Sequence, residues 1–291
     1  MIADQADFIT PHITDAHTLD YPCFTQAAHW YQRIIPQACE YELPRWAPIH
    51  IGRFALDISP TRHVVMLWIA ALLCIVTTLL ALRAHNRKTR EGKAPSGFGN
   101  GLEALVLYLR NEIILPNVGP HGNGYVPFLL TLFFFILFAN LLGLIPYGST
   151  ATGNISVTAT LAIITFVVIE TAGMKAQGKR YINTIVFWPH DMSLGMKLFI
   201  SPILTPIELV GKFTKPFALA IRLFANMTAG HIVLLALISL IFTFGSWFLW
   251  PVPVAMALAI SVLELFVALL QAYIFTLLSS VFIGLIREGA H

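Results

Sequence analysis

From Leu223 to Ile286 the chain carries no Lys, Arg or Asp, and its only strongly ionisable groups are His231 and Glu264. A stretch that long and that apolar is at home in a lipid bilayer, not in water. Arg222 stands at its edge, in a context that also belongs to the membrane. A charged group at mid-membrane costs at least ~2.5–3.5 kcal/mol on insertion scales. A chain that keeps an Arg, a His and a Glu there is expected to use them. The first reading of such groups is an ion or proton path.

Composition agrees. The 291 residues are 57% hydrophobic and 11% charged, against roughly 25% charged in a soluble domain. The net charge of +3 is small and scattered, which argues against a nucleic-acid partner. Cys23, Cys39 and Cys74 have no metal-ligand spacing. Cys74 lies in an apolar run and reads as a small hydrophobe. A disulfide between Cys23 and Cys39 requires that the N-terminal segment lie outside. The first twenty residues are polar and acidic, without a basic region followed by an apolar one. Insertion is therefore expected to be driven by the first span.

Residues 1–60 are expected to form an extracytoplasmic segment, with a short amphipathic helix around His29 to Ile35, ahead of a membrane domain at 61–291. The first span is placed at about Val64 to Leu82, close to the ~20 residues a bilayer needs. Arg83, Arg87, Lys88, Arg90 and Lys93 follow at once. By the positive-inside rule that loop is cytoplasmic and the N-terminus outside. Leu102 to Leu115 mixes apolar residues with Glu103, Arg110 and Glu112, and is too short to span. It reads as an amphipathic helix at the cytoplasmic surface, with a plain cytoplasmic helix as the alternative.

Val126 to Tyr147 is the second span, closed by a turn at Pro146 and Gly148. Ile155 to Met174 is the third, and Lys175, Lys179 and Arg180 return the chain to the cytoplasm. The fourth segment, Met196 to Gly245, exceeds one perpendicular span, and Pro202, Pro206 and Pro216 predict kinks or a broken start. Trp247, Trp250, Pro251 and Pro253 mark a turn at the outer interface. The last helix, about Val254 to Ile286, is roughly 50 Å long at 1.5 Å per residue. A bilayer core is ~30 Å thick, so the helix must tilt or project. The predicted fold is thus an all-α polytopic membrane protein: three conventional spans, a short amphipathic helix, and a hairpin of two long tilted helices. It shows no internal repeat.

On a helical wheel Asn226 shares the face of Arg222, one turn away, and Glu208 lies within roughly 40° of it, toward the cytoplasm. His231 falls on the opposite face, nearer the outside. Glu264 and Gln271, seven residues apart, share a face of the partner helix. The antiparallel hairpin puts Glu264 near the depth of His231, and Gln271 near that of Arg222. An imidazole that titrates near ~6.5 and a carboxylate can hand protons on at physiological pH. An arginine does not release its proton there and acts as a fixed positive charge. Together they describe a proton path that is deliberately interrupted. The plainer alternatives stay open at this level. Arg222, His231 and Glu264 could each be structural, and Asn226 and Gln271 interhelical hydrogen bonders. Glu170 reads as interfacial, and Lys212 and Lys215 as cytoplasmic anchors.

The run Ala218-Leu219-Ala220-Ile221-Arg222-Leu223-Phe224-Ala225-Asn226-Met227, continued by Thr228-Ala229-Gly230-His231, resembles subunit a of the F-type ATP synthase membrane sector. Glu264 with Gln271-Ala272-Tyr273, the run Asn140 to Pro146 (NLLGLIP), and Glu208 fourteen residues before the Arg carry the same resemblance. It covers roughly Ile51 to His291. It implies that Arg222 faces a rotating ring of c subunits, with Asn226 and Gln271 around it. His231 and Glu264 would line an outer half-channel, and Glu208 would lie toward an inner one. Many bacterial members exchange the residues at 231 and 264, whereas mitochondrial members share the order found here. Some members carry an acid where Gly143 stands. The resemblance further implies a c-ring partner, a subunit b stalk, a bacterial inner membrane, no cofactor, and no catalytic site in this chain alone.

Two rival classes remain at this stage. A proton- or sodium-coupled secondary transporter would bind its own solute, but no repeat and no second discontinuous helix support it. A structural assembly protein leaves three deep polar groups without a reason. A nucleotide site is not indicated, since no phosphate loop of the Walker type occurs.

Overall fold

The computed structural model describes residues 16–23, 37–46, 49–51, 54–56, 59–90, 97–120, 122–145, 150–178, 181, 194–244 and 251–288. Seven α-helices follow one another among these residues: α1 (Arg62–Arg90), α2 (Phe98–Tyr108), α3 (Leu115–Val118), α4 (Val126–Gly143), α5 (Ile155–Gln177), α6 (Leu194–Phe244) and α7 (Pro251–Glu288). Five helical stretches are long and apolar enough to cross a membrane, within α1, within Gly122–Gly143, at α5, within α6 and at α7. The protein is an all-α polytopic membrane protein. Its exposed surface is apolar where a soluble protein would be polar. Along α1, Trp68, Leu72, Ile75 and Leu79 are all exposed, as lipid contact allows.

Four short strands precede α1: β1 (Thr18–Cys23), β2 (Gln37–Glu42), β3 (Ile49–Ile51) and β4 (Phe54–Leu56). They form two separate antiparallel ribbons, β1 with β2 and β3 with β4. The residue pattern does not anticipate them. The ribbons are too short to show a sustained period, and only Leu19, Tyr21 and Cys23 hint at alternation. Backbone register sets Cys39 opposite Tyr21 and Cys23 opposite Gln37. The helix expected around His29 to Ile35 lies outside the described residues.

Two helical expectations are corrected. The surface helix expected over Leu102 to Leu115 extends from Phe98 to Val118 and includes a π-helical stretch, Leu109–Ile114. Leu115 N–H bonds the Arg110 carbonyl, five residues back. Pro116 explains the wider register, because it offers no N–H to the carbonyl four residues before it. Helix α6 runs without a break across Pro202, Pro206 and Pro216, which removes the broken start and leaves the expected kinks standing. Its 51 residues would reach roughly 76 Å if straight, so it must tilt, bend or project beyond a ~30 Å core.

The chain divides into two compact units. The first comprises residues 1–75, 135–154 and 224–269. In it Asn140 Nδ2 donates to the Ala268 carbonyl at 3.2 Å, and Thr152 Oγ1 donates to Asn140 Oδ1 at 2.7 Å. Both Asn140 and Thr152 are fully buried, so the two polar groups satisfy each other. A Cβ on Gly143 would overlap the Thr150 side chain, so this close approach favours glycine. The N-terminal segment is tied to α1 by Arg62 N–H to the Ala16 carbonyl at 2.9 Å.

The second unit comprises residues 76–134, 155–223 and 270–291. Its core joins Ile114, Val118, Val126, Leu129, Ile169, Ala172 and Ile283. The end of α7 is fastened to this core. Arg287 donates to the Val118 carbonyl at 2.7 Å and the Pro120 carbonyl at 2.8 Å. Gln177 Nε2 donates to the Ile286 carbonyl. A Cβ on Gly284 would run into the Asn117 carbonyl, so only glycine lets α7 lie this close.

Candidate functional site

Arg222 lies in α6 with its side chain exposed. Its neighbours Leu219, Ala220 and Leu223 are buried at 3%, 4% and 1% exposure, so they form the packed face and Arg222 does not. Phe213, Phe217 and Ile221, at 58%, 63% and 39%, are exposed too. A guanidinium therefore stands on a bare apolar surface. Among the described residues no ion pair joins it to Glu208, and no hydrogen bond joins it to Gln271.

Gln271, in the same unit as Arg222, is buried at 5% exposure within α7. Glu208 is half-buried on α6. Asn226 and His231 are half-buried on α6 as well, and both belong to the first unit.

Glu264 is buried, at 6% exposure, and its Oε2 has no hydrogen-bond partner among the described residues. Oε1 sits against Gly230: a Cβ there would lie only 2.6 Å from it. Glycine at 230, one residue before His231, therefore opens the space that the carboxyl occupies. One helical turn beyond Glu264 is Ala268, whose carbonyl accepts from Asn140. A buried carboxyl oxygen without a partner is costly to maintain. Such a group is a candidate for a changing partner, such as water or a passing proton.

Sequence reasoning singles out neither Gly230 nor Thr152 for a role, and it uses Asn140 only as part of a motif. Nothing in their residue types announces packing against Glu264 or a bond to Ala268, because those contacts span more than thirty residues of sequence. Lys212 has contacts that sequence reasoning does not give. Its Nζ lies 3.7 Å from Glu170 Oε2 and 4.8 Å from the Tyr181 ring centre. Lys215 lies 5.4 Å from the ring centre of Phe282.

Fold and site together define a polytopic membrane protein that keeps ionisable groups within its spans. Residues 64–284 match the family described as ATP synthase A chain. The chain is 44% identical over 274 residues to ATP synthase subunit a of Chloroherpeton thalassium, covering 94% of this chain and 74% of that one. It is 45% identical over 281 residues to ATP synthase subunit a 2 of Chlorobaculum tepidum, covering 96% and 72%. With ATP synthase subunit a of Myxococcus xanthus it shares 43% over 286 residues, covering 97% and 89%. The chain belongs to the ATP synthase A chain family.

Proposed function

We propose that this chain is the proton-channel subunit of an F-type ATP synthase stator in a bacterial cell membrane. Two offset half-channels would load and unload a carboxylate on each c subunit of a rotating ring. His231 and Glu264 would serve the outer half-channel, Glu208 the inner one, with Arg222 between them flanked by Asn226 and Gln271. Subunit b and the rest of the synthase would hold the chain still. The N-terminus would face outside and the C-terminus the cytoplasm.

The observation that carries this reading is Arg222 exposed on an apolar face of α6. Two physical terms then act on a ring carboxyl. Lipid favours its neutral form, whereas a nearby guanidinium favours the ionised one. A ring site arrives protonated, gives up its proton near Arg222, and is reloaded only after it has passed. Arginine is suited to this because it stays charged and offers a planar fork of donors. One charge moved through 100 mV is worth about 2.3 kcal/mol, so a few protons supply useful torque.

Purification in mild detergent, followed by identification of the co-purifying subunits, tests the partner. A c ring and a b stalk are expected. Recovery as a solitary chain that takes up a solute in vesicles would overturn the reading. In reconstituted synthase, Arg222→Ala should abolish coupled ATP synthesis and let protons leak. Wild-type synthesis in that variant would sink the mechanism.

A further inference from the structure

An ion pair in the second unit lies outside the constellation just described. Glu170 of α5 and Lys212 of α6 face each other at 3.7 Å, and their side chains are only 18% and 11% exposed. Both residues fall within stretches apolar enough to cross a membrane. Charges at such positions are costly, and they mark ion pathways more often than packing.

Packing does not require this pair. Helices α5 and α6 already meet through Phe166 and Phe213, whose ring centres are 5.4 Å apart. Replacing a buried ion pair by apolar residues of similar volume is commonly neutral or stabilising. The separation of 3.7 Å is also too long for a hydrogen bond. The three donors of the Lys212 ammonium are therefore not used up by Glu170, and neither carboxyl oxygen of Glu170 is closed off by it.

Among the described residues the surroundings are sparse in charge. Facing Glu170 are Lys212 from α6 and, through Lys212, the ring of Tyr181. Lys175 lies further along the same helix, in its last turn. Lys215 is turned to Phe282 of α7, and Arg287 at the end of α7 is held by the Val118 and Pro120 carbonyls. Glu208 precedes Lys212 by four residues on α6, so the two share a helix face, with the acid on the favourable N-terminal side. That spacing puts Glu208 within reach of the same ammonium that faces Glu170.

We propose that Glu170 is a second proton-accepting carboxylate at the inner end of the path, and that Lys212 positions it beside Glu208. The inference rests on the function proposed above. A proton released from the ring arrives as hydronium; the Glu170 carboxylate takes it, leaving water, and becomes a neutral acid. It then gives the proton to a water at the inner face and is a carboxylate again. Lys212 keeps its proton throughout, and no electrons move.

The test uses whole synthase reconstituted into vesicles, with ATP synthesis followed against inner-face pH at fixed driving force, and assembled complex quantified per vesicle. Glu170→Gln and Lys212→Gln should each lower synthesis several-fold per assembled complex. Glu170→Gln should also flatten the dependence on inner pH. The exchange Glu170→Lys with Lys212→Glu should recover at least half of the lost rate, because it returns a carboxylate and its counter-ion. Glu170→Asp should keep the rate but shift the pH dependence, and it decides the matter if Glu170→Gln fails to assemble. Full rate with an unchanged pH dependence in Glu170→Gln, or an exchange no better than the worse single variant, overturns the proposal. So does a loss that follows assembly alone, or an unchanged profile in Glu170→Asp. Arg222→Ala in the same vesicles separates the two levels. Wild-type synthesis there sinks the proposed function, whereas an inactive Arg222→Ala beside a silent Glu170→Gln sinks only this inference.

Discussion

Arg222 combines a permanent charge, an exposed position and an apolar setting, and each of the three matters for what a substitution would do. Lysine keeps the charge but offers a point ammonium in place of a planar fork, and it gives up its proton more readily when desolvated. Arg222→Lys is therefore expected to lose most ATP synthesis in reconstituted vesicles. Retention of more than half the wild-type rate would mean that positive charge alone suffices. The second residue-scale expectation concerns His231 and Glu264. Each alone, changed to Ala, should cut proton flux, since each removes a titrating group from the proposed outer path. His231→Glu combined with Glu264→His should recover part of it. Recovery is limited because Glu264 fits against Gly230, where a Cβ would lie 2.6 Å from Oε1, and an imidazole fills that space differently. A double variant no better than the worse single would count against a shared role.

At the scale of elements, the end of α7 decides how the second unit is held. Arg287 makes charge-assisted hydrogen bonds to the Val118 and Pro120 carbonyls, and its guanidinium lies 5.6 Å from the ring centre of Tyr125. A cation in the last turn also suits the helix dipole. Hydrogen bonds to charged groups are worth about 1.5–3 kcal/mol when well formed, and the exposed one to Pro120 less. Arg287→Ala is thus expected to speed hydrogen exchange of the backbone over residues 115–120 by at least tenfold, while α1 is unaffected. Unchanged exchange there would show that apolar contacts around Ile114, Val118 and Ile283 hold the corner by themselves.

For the whole molecule the sharpest expectation is orientation. Arg83, Arg87, Lys88 and Arg90 follow the first apolar run, and Lys175 closes α5. A cysteine placed at 88 should react with an impermeant reagent from the cytoplasmic side alone. Labelling from the outside would reverse the proposed topology, and with it the assignment of inner and outer paths. The same charge asymmetry orders the proposed function, because Glu170, held by Lys212, can discharge protons inward only if α5 ends inside.

Much of this is legible in the residues alone, for a physical reason. In a bilayer the backbone has no other donors or acceptors, so a long apolar run must be helical. That is why hydropathy by itself places the spans at α1, α4, α5, α6 and α7, and why Arg222, His231 and Glu264 stand out against their surroundings. Contacts between distant segments are not legible in this way. The hydroxyl of Thr152 on Asn140, Gly230 under Glu264, and Lys212 beside Glu170 depend on which helix faces are brought together, and helical periodicity sees one helix at a time. Even the unbroken run of α6 through three prolines is a tertiary decision. Local chemistry removes hydrogen bonds at each of them, and next to Pro216 the buried Leu219 and Ala220 show that packing holds the helix there. Sequence thus determined which groups had to lie in the membrane, whereas only packing decided which of them meet.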